Sequence, residues 1–244
     1  FEFETYLYQS GLQINTVAKH MKHLKAFVNL AIDKMHIDSS AYPFKRYRIK
    51  TTESKHVFLL PEELEKLEHL ELSGINQALS HTLDAFLFCC YTGLRYSDFT
   101  NLSEKNIFLI NNEPWLIFST VKTDTEVKLP LKLLFEGNAW KIIKQHQKEL
   151  NAFFTFKPNS TANKELIRIG KLAGIKKHFS FHAARHTNAT LLIYKGVSIT
   201  TVQRLLGHRN ISTTQIYSEV MESTLVKDLE KCKEGKQKRQ NRIK

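Results

Sequence analysis

The apolar residues of this chain leave helical spacing in one stretch. Ile107-Phe108-Leu109-Ile110, Trp115-Leu116-Ile117-Phe118 and Val127-Lys128-Leu129 are short β-rich runs, parted by Asn111-Asn112-Glu113-Pro114 and Lys122-Thr123-Asp124-Thr125. Runs of that kind between turn-forming residues predict a small antiparallel meander. On either side the spacing is helical. Residues 1–37 read as helical, and from Thr16 the set Val17, Met21, Leu24, Phe27, Val28, Ala31 and Ile32 forms one stripe. Ser39-Ser40-Ala41-Tyr42-Pro43 is a helix stop. Pro61 opens a helix whose Glu62 and Glu63 stand where the macrodipole favours carboxylates, with Leu64, Leu67 and Leu70 as its apolar face. A second helix is expected from about Asn76 to Thr92, with Leu79, Leu83, Phe86, Leu87 and Cys90 inward and Gly93 as its C-terminal cap. After Glu136 helices are expected near 137–150, 159–173, 180–195, 198–206, 212–219 and 220–233, punctuated by Gly174, Gly196 and Gly207. The fold class that follows is mainly α with a small antiparallel β-sheet (α+β).

At 244 residues the chain has room for one large domain or two small ones. Its 36 Lys+Arg against 24 Asp+Glu leave a net charge of +12, which calls for a polyanionic partner, nucleic acid or an anionic membrane. The most apolar stretch, Leu83 to Tyr91, contains Asp84 and falls far short of the ~20 residues of a span. No signal peptide opens the chain, so a cytoplasmic location is expected, and a start at Phe1 suggests a fragment or processed chain. Cys89, Cys90 and Cys232 match neither a disulfide framework nor metal-finger spacing, in keeping with a reducing compartment. The basic charge is concentrated. Lys45, Arg46, Arg48, Lys50 and Lys55 oppose the single Glu53 in a stretch that reads as a linker. Lys19, Lys22 and Lys25 lie off the apolar stripe, either as a solvated face or as DNA contacts. The tail Lys231 to Lys244 is basic again.

Three segments carry chemistry. In Tyr91-Thr92-Gly93-Leu94-Arg95-Tyr96-Ser97-Asp98, an arginine follows a buried helix and a glycine turn, and Asp98 three residues on can fix its guanidinium. Alone, that is as well read as a surface pair. In His182-Ala183-Ala184-Arg185 the i, i+3 spacing puts both side chains on one helix face, with Ser180 near the start as a cap. His178, His182 and His186 also recur at i, i+4, i+8, but no ligand carboxylate or cysteine stands nearby to complete a metal face. In Leu205-Leu206-Gly207-His208-Arg209-Asn210-Ile211-Ser212-Thr213-Thr214-Gln215-Ile216-Tyr217, Gly207 ends one helix, His208 sits in the turn and Ser212 can cap the next helix, which projects Tyr217.

Their order is more specific than any of them. Thr-Gly-Leu-Arg, a β-turn lysine, His-x-x-Arg, Leu-Gly-His and a tyrosine nine residues after that histidine occur in one sequence. Here the chain resembles the tyrosine recombinase (phage integrase) family over roughly residues 57–225. The resemblance implies that Arg95, Lys122, His182, Arg185, His208 and Tyr217 are catalytic, with Tyr217 the nucleophile and Asp98 supporting the first arginine. Lys128, on the same hairpin, and Lys132, just beyond it, are alternatives to Lys122. The implied architecture is a helical catalytic domain at 57–233, preceded at 1–50 by part of a helical DNA-clamping domain and the start of the linker, and followed by a basic tail at 234–244. Lys19, Lys22, Lys25, Lys45, Arg46, Arg48 and Lys50 would meet DNA phosphates. Residues 221–233, with Leu225, Val226 and Leu229 at helical spacing, would dock on a neighbouring protomer of a tetramer or pack on their own domain.

The chemistry is coherent on its own. Attack on a phosphodiester adds negative charge to the nonbridging oxygens, which two guanidiniums can stabilise. No dense carboxylate cluster is present to hold two magnesium ions, so neither a metal nor another cofactor is expected. A phenol needs a base and a positive field to attack at neutral pH. His182 can take its proton, His208 can donate to a phosphate oxygen, and Lys122 can protonate the leaving 5′ oxygen. The product is a 3′-phosphotyrosine that a second 5′-hydroxyl can resolve without ATP. The expected activity is site-specific recombination of double-stranded DNA, most like an integrase of a bacterial mobile element, at the nucleoid and with accessory DNA-bending proteins as further partners. Type IB topoisomerase-like relaxation, or a DNA-binding module without catalysis, are the alternatives.

Overall fold

The computed structural model describes residues 2–53 and 56–217. The expected helix at 220–233, the proposed docking segment within it and the basic tail lie outside the described residues. The chain divides into two compact units, Phe1–Lys55 and His56–Lys244.

In the first unit, helix α1 (Glu2–Gln9) and helix α2 (Ile14–Asp33) replace the single helical stretch expected over 1–37. The break falls at Gly11, whose φ of +78° leaves the helical region. Leu7, Val17, Met21 and Phe44 form the core, and Leu12, Leu24, Val28, Tyr42, Tyr47 and Ile49 pack against it. Phe27, expected on the inward stripe, is 70% exposed, because this small core covers the first half of α2 and not the second. The basic stretch after α2 is not a loose tether. Phe44 is buried, and Asn15 clasps Thr52 twice: its Nδ2 donates to the Thr52 carbonyl at 2.9 Å and its Oδ1 accepts from the Thr52 amide at 3.0 Å. Lys45, Arg46, Arg48 and Lys50 project from this anchored segment into solvent.

The second unit is built around helix α4 (Ser80–Thr92), which is buried on nearly every side from Thr82 to Thr92. A helix apolar all round belongs in the middle of a core, so the inward face expected for it is only part of what it buries. The first residues of that expected helix, Gly74–Leu79, form a 3₁₀ turn instead. Helices α3 (Pro61–Glu68), α6 (Asn138–Gln145), α7 (Leu150–Phe154), α8 (Asn159–Leu172) and α9 (Ala183–Tyr194) surround α4. Phe86, Phe88, Phe99, Phe153, Phe154 and Phe181 meet edge to face or tilted beneath it, an arrangement aromatic quadrupoles favour.

Strands β1 (Ile107–Ile110), β2 (Glu113–Ser119) and β3 (Glu126–Pro130) make one antiparallel sheet in the order β1-β2-β3, as the sequence predicts. Asn111 and Asn112, both at positive φ, form a two-residue turn, so β2 starts at Glu113, earlier than the apolar run suggests. Leu116 pairs with Leu129 and Phe118 with Val127, and Leu116, Val127 and Leu129 face the core. Helix α10 (Ile199–Leu206) bridges α9 and β3 and leads to the short helix α11 (Ser212–Gln215). No helix among the described residues is long and apolar enough to cross a membrane.

Candidate active site

The site grows from two tight turns. Helix α4 ends at Gly93 with φ of +72°, and a Cβ there would lie 2.6 Å from Leu206 Cδ2 and 2.8 Å from Asn188 Oδ1. Helix α10 ends at Gly207 with φ of +63°, where a Cβ would lie 2.7 Å from Val127 Cγ2 and 3.0 Å from Thr120 Cγ2. Only a residue without a side chain lets α9 and α10 approach the end of α4, and lets the Leu-Gly-His turn sit against the β2–β3 hairpin.

Arg185 fills the space these turns enclose. It is 3% exposed, and its Nη1 donates to the Gly93 carbonyl at 2.7 Å while its Nη2 donates to the Leu206 carbonyl at 2.6 Å. Both acceptors are neutral, and among the described residues no carboxylate pairs with it. Burial and the nearby Arg95 push its pKa down to about 10, leaving it charged at neutral pH.

Arg95 precedes the short helix α5 (Tyr96–Phe99). Its Nη1 lies 3.4 Å from Asp98 Oδ2, and the Asp98 side chain is fully buried. Asp98 also accepts the Val121 amide at 2.9 Å through Oδ1. That bond was not foreseen from sequence: the aspartate ties the first arginine's turn to the hairpin, one residue from Lys122.

Lys122 is exposed on that hairpin. Thr120, Thr123 and Thr125 brace the turn through their hydroxyls, and Arg209 Nη2 donates to the Thr123 carbonyl. The rival lysines are engaged elsewhere, Lys128 with Glu126 at 3.0 Å and Lys132 with Glu113 at 3.1 Å. Lys122 has no such partner among the described residues, and its charge is felt at His182.

His182 stands exposed just before α9, which starts at Ala183 and not at 180. Ser180 supplies its backbone carbonyl to the Ala183 amide at 2.9 Å, and the expected side-chain cap is not formed. His178 lies outside the helix, so the i, i+4, i+8 face does not exist, and no cluster of three metal-ligating side chains occurs among the described residues. Packing around the His182 ring lowers its pKa, and Arg185, Arg95, His56 and Lys122 add to that. His208 Nδ1 lies 2.9 Å from Thr214 Oγ1, and desolvation followed by Arg185 and Arg95 lowers its pKa to about 3. Asn210 Oδ1 accepts the Ser212 amide at 3.0 Å, so Asn210 and not Ser212 caps the next turn.

Tyr217 follows α11 and is 5% exposed. Burial raises its pKa, while Arg185 and Arg95 pull it back down. Its hydroxyl lies 3.0 Å from Nδ1 of His186 and is not bonded to His182. His186, considered from sequence only as part of a metal face, is packed between the rings of His182 and His56, each 4.6 Å from it. The signal was present in the i, i+4 relation to His182; the tyrosine on the other side was not visible.

Arg185 thus joins the turns that carry Arg95 and His208, both arginines lie near enough to act on His182, His208 and Tyr217, and Lys122 acts on His182. Guanidiniums, neutral imidazoles and a phenol are groups whose chemistry can hold a tetrahedral anion. Lys19 and Lys22 are exposed in the first unit and line a groove there with Asn15, His23, Thr51 and Thr52, while Lys25 is half-buried.

Residues 57–223 match the phage integrase family, and residues 1–49 match the phage integrase SAM-like domain. A tyrosine recombinase of Pseudothermotoga lettingae is 32% identical over 221 residues, covering 88% of this chain and 73% of its own. Tyrosine recombinase XerC of Oceanobacillus iheyensis is 29% identical over 239 residues, covering 91% and 76%. Among solved structures, XerH site-specific recombinase bound to palindromic difH substrate superposes with a TM-score of 0.72 at 22% identity, over 93% of this chain and 70% of that one. The Tn1549 transposon integrase in complex with circular intermediate DNA gives 0.68 at 19%, over 93% and 82%. A lambda integrase dimer bound to a core site gives 0.70 at 17%, over 88% and 77%. At these identities the structural likeness is one of fold.

Proposed function

The chain belongs to the phage integrase family of tyrosine recombinases, and we propose that it cleaves and rejoins DNA at a specific site through a 3′-phosphotyrosine formed on Tyr217. The observation that carries this reading is that Arg185 bridges the Gly93 and Leu206 carbonyls, which joins the turns leading to Arg95 and His208, while the next residue of its helix holds the Tyr217 hydroxyl. The scissile phosphate lies between the guanidiniums, which stabilise the charge gathering on its nonbridging oxygens. His208, neutral and with Nδ1 engaged by Thr214, presents its other nitrogen to one of those oxygens. His182, neutral at the rim, faces the same phosphate. Lys122, free of carboxylates on a braced hairpin, protonates the departing 5′ oxygen. Asp98 keeps Arg95 and the hairpin in register. A pocket this cationic repels a divalent metal, so the reaction runs without one.

Residues 57–233 form the catalytic domain in this reading. Residues 1–50 belong to a DNA-clamping domain, with Lys19, Lys22, Lys25, Lys45, Arg46, Arg48 and Lys50 on phosphates, and the 234–244 tail adds further phosphate contacts. The enzyme acts as a tetramer on paired sites in the bacterial cytoplasm, assisted by DNA-bending proteins, and serves a mobile element, as the Tn1549 transposon integrase does by name.

The test is incubation with a nicked suicide substrate in excess EDTA. A covalent adduct mapped by mass spectrometry to the Tyr217 peptide is expected, and Tyr217→Phe should abolish it while DNA still binds. An adduct that survives the substitution, or that needs magnesium, refutes the assignment. Joining of two duplexes at one sequence, rather than relaxation of any plasmid, separates recombination from topoisomerase action.

A further inference from the structure

We infer that His186 is the immediate acceptor of the Tyr217 proton, the group through which the nucleophile is held and activated. The inference rests on Tyr217 being the attacking group. Its hydroxyl is buried, and a buried O–H must donate to something. The charged groups that bear on it, Arg185 and Arg95, are donors only. His186 Nδ1, at 3.0 Å, accepts it in the tautomer that carries the ring proton on Nε2.

The ring is also held in place. His186 is 8% exposed and lies one residue after Arg185 on α9. The rings of His182, edge-on, and His56, tilted, each lie 4.6 Å from its own, and the Tyr217 ring lies 5.5 Å away. The helix that carries Arg185, itself held by the Gly93 and Leu206 carbonyls, thus fixes, on its next residue, the orientation of the phenol. Burial and the neighbouring His182, His56, Arg185 and His208 lower the His186 pKa to about 3, which keeps the imidazole neutral and its lone pair available.

So weak a base suffices because the phenol does not ionise first. As Tyr217 Oη bonds to phosphorus, the oxygen becomes that of an aryl ester and cannot retain its proton. The proton passes to His186 Nδ1 while the P–O5′ bond breaks and O5′ takes a proton from Lys122. The step leaves an imidazolium and a neutral lysine. Resealing runs it backward: the incoming 5′-hydroxyl returns its proton to Lys122, and His186 returns its own to the phenol. His182 is then left to face the phosphate.

The test compares single-turnover adduct formation by His186→Asn and His186→Phe on the suicide substrate. Asparagine can accept the phenol's hydrogen bond but cannot carry a proton away; phenylalanine keeps the ring packing and does neither. Both should bind DNA like the wild type and cleave slower by ~10²-fold or more, the scale of a lost general base. Cleavage by His186→Asn within about threefold of wild type would reduce His186 to a hydrogen-bond support and overturn the inference, and near-normal cleavage by His186→Phe would do so outright. A substrate with sulfur at the scissile 5′ position, whose leaving thiolate needs no proton, should restore Lys122→Ala but not the His186 variants; restoration of both overturns it. Should either variant fail to fold, a comparison that leaves His186 intact decides: the ¹⁵N resonance of His186 Nδ1 should move between the wild type and Tyr217→Phe, and an unmoved resonance denies the pair. An adduct formed by Tyr217→Phe itself would condemn the nucleophile assignment, a failure separable from that of His186.

Discussion

Asp98→Ala tests whether one buried carboxylate aligns both the first arginine and the lysine hairpin. The Asp98 side chain is fully buried. Its bond from the Val121 amide, at 2.9 Å, is charge-assisted and is worth about 1.5–3 kcal/mol. Its contacts to the Arg95 amide and Nη1, both at 3.4 Å, are long and add less. Truncation also strands the Val121 N–H, while Arg95, with 17% of its side chain exposed, partly rehydrates. The expected loss is therefore about 3 kcal/mol, near the lower end of the range for breaking a buried pair. For a unit of this size that is roughly 6–12 °C in Tm. Asp98→Asn should lose less, since its amide oxygen can still serve Val121 even as its NH₂ meets the N–H groups of Arg95. Single-turnover cleavage should fall in both, and the effect should not add to that of Lys122→Ala, because a hairpin already released has less lysine alignment to lose. A double-mutant cycle should give a coupling of about 1 kcal/mol or more. Unchanged melting of Asp98→Ala, or rate losses that multiply independently with Lys122→Ala, would refute the link.

Arg185→Lys keeps the charge but cannot serve the Gly93 and Leu206 carbonyls and still offer a fork to phosphate; cleavage should drop by ~10²-fold or more with DNA affinity little changed, measured by adduct formation beside a binding titration. Gly93→Ala forces a Cβ into Leu206 and Asn188 at a φ of +72°, and should cost about 2 kcal/mol or more in urea unfolding; wild-type stability would contradict the packing. His186 and His208 titrate near 3 when folded and near 6.5 when unfolded. The unfolded state therefore binds more protons between those values, and stability is full above about pH 6.5 and falls as pH drops. The loss from pH 7 to pH 5 is about 2 kcal/mol per histidine as an upper figure. Urea titrations at the two pH values should show His186→Asn removing one histidine's share of that loss. Lys19→Ala and Lys22→Ala should each lower the slope of log affinity against log salt by about 0.9 without altering sequence preference.

The sheet was legible because its apolar runs are short and its turns carry Asn and Thr, and the helix ends because Gly93, Gly174, Gly196 and Gly207 sit where positive φ is needed. Gly11 carries the same signal, yet a continuous apolar stripe from Thr16 onward hides a break placed just before it. Phe27 misleads for a different reason: periodicity reports a face that can be buried, and whether anything covers it depends on elements distant in the chain. Helix α4 is the converse case. Buried nearly all round, it has no polar face to set its orientation, and its neighbours follow from packing among phenylalanines rather than from any local pattern.

In the candidate site, the residues singled out from sequence are those whose types and order are specific. Their partners could not, since each bond joins segments far apart in the chain: Val121 to Asp98, Arg209 to Thr123, Tyr217 to His186. Arg185 shows why those partners matter. A carboxylate beside it would hold the guanidinium as firmly, but would also neutralise the field an incoming phosphate must meet. Two backbone carbonyls fix its geometry and leave its full charge unspent. Asp98, the one carboxylate that touches an arginine among the described residues, keeps its 2.9 Å bond for the hairpin and stands off Arg95 at 3.4 Å. These two arginines are thus held by neutral or distant oxygens, which in the proposed reaction leaves their charge for the DNA phosphate.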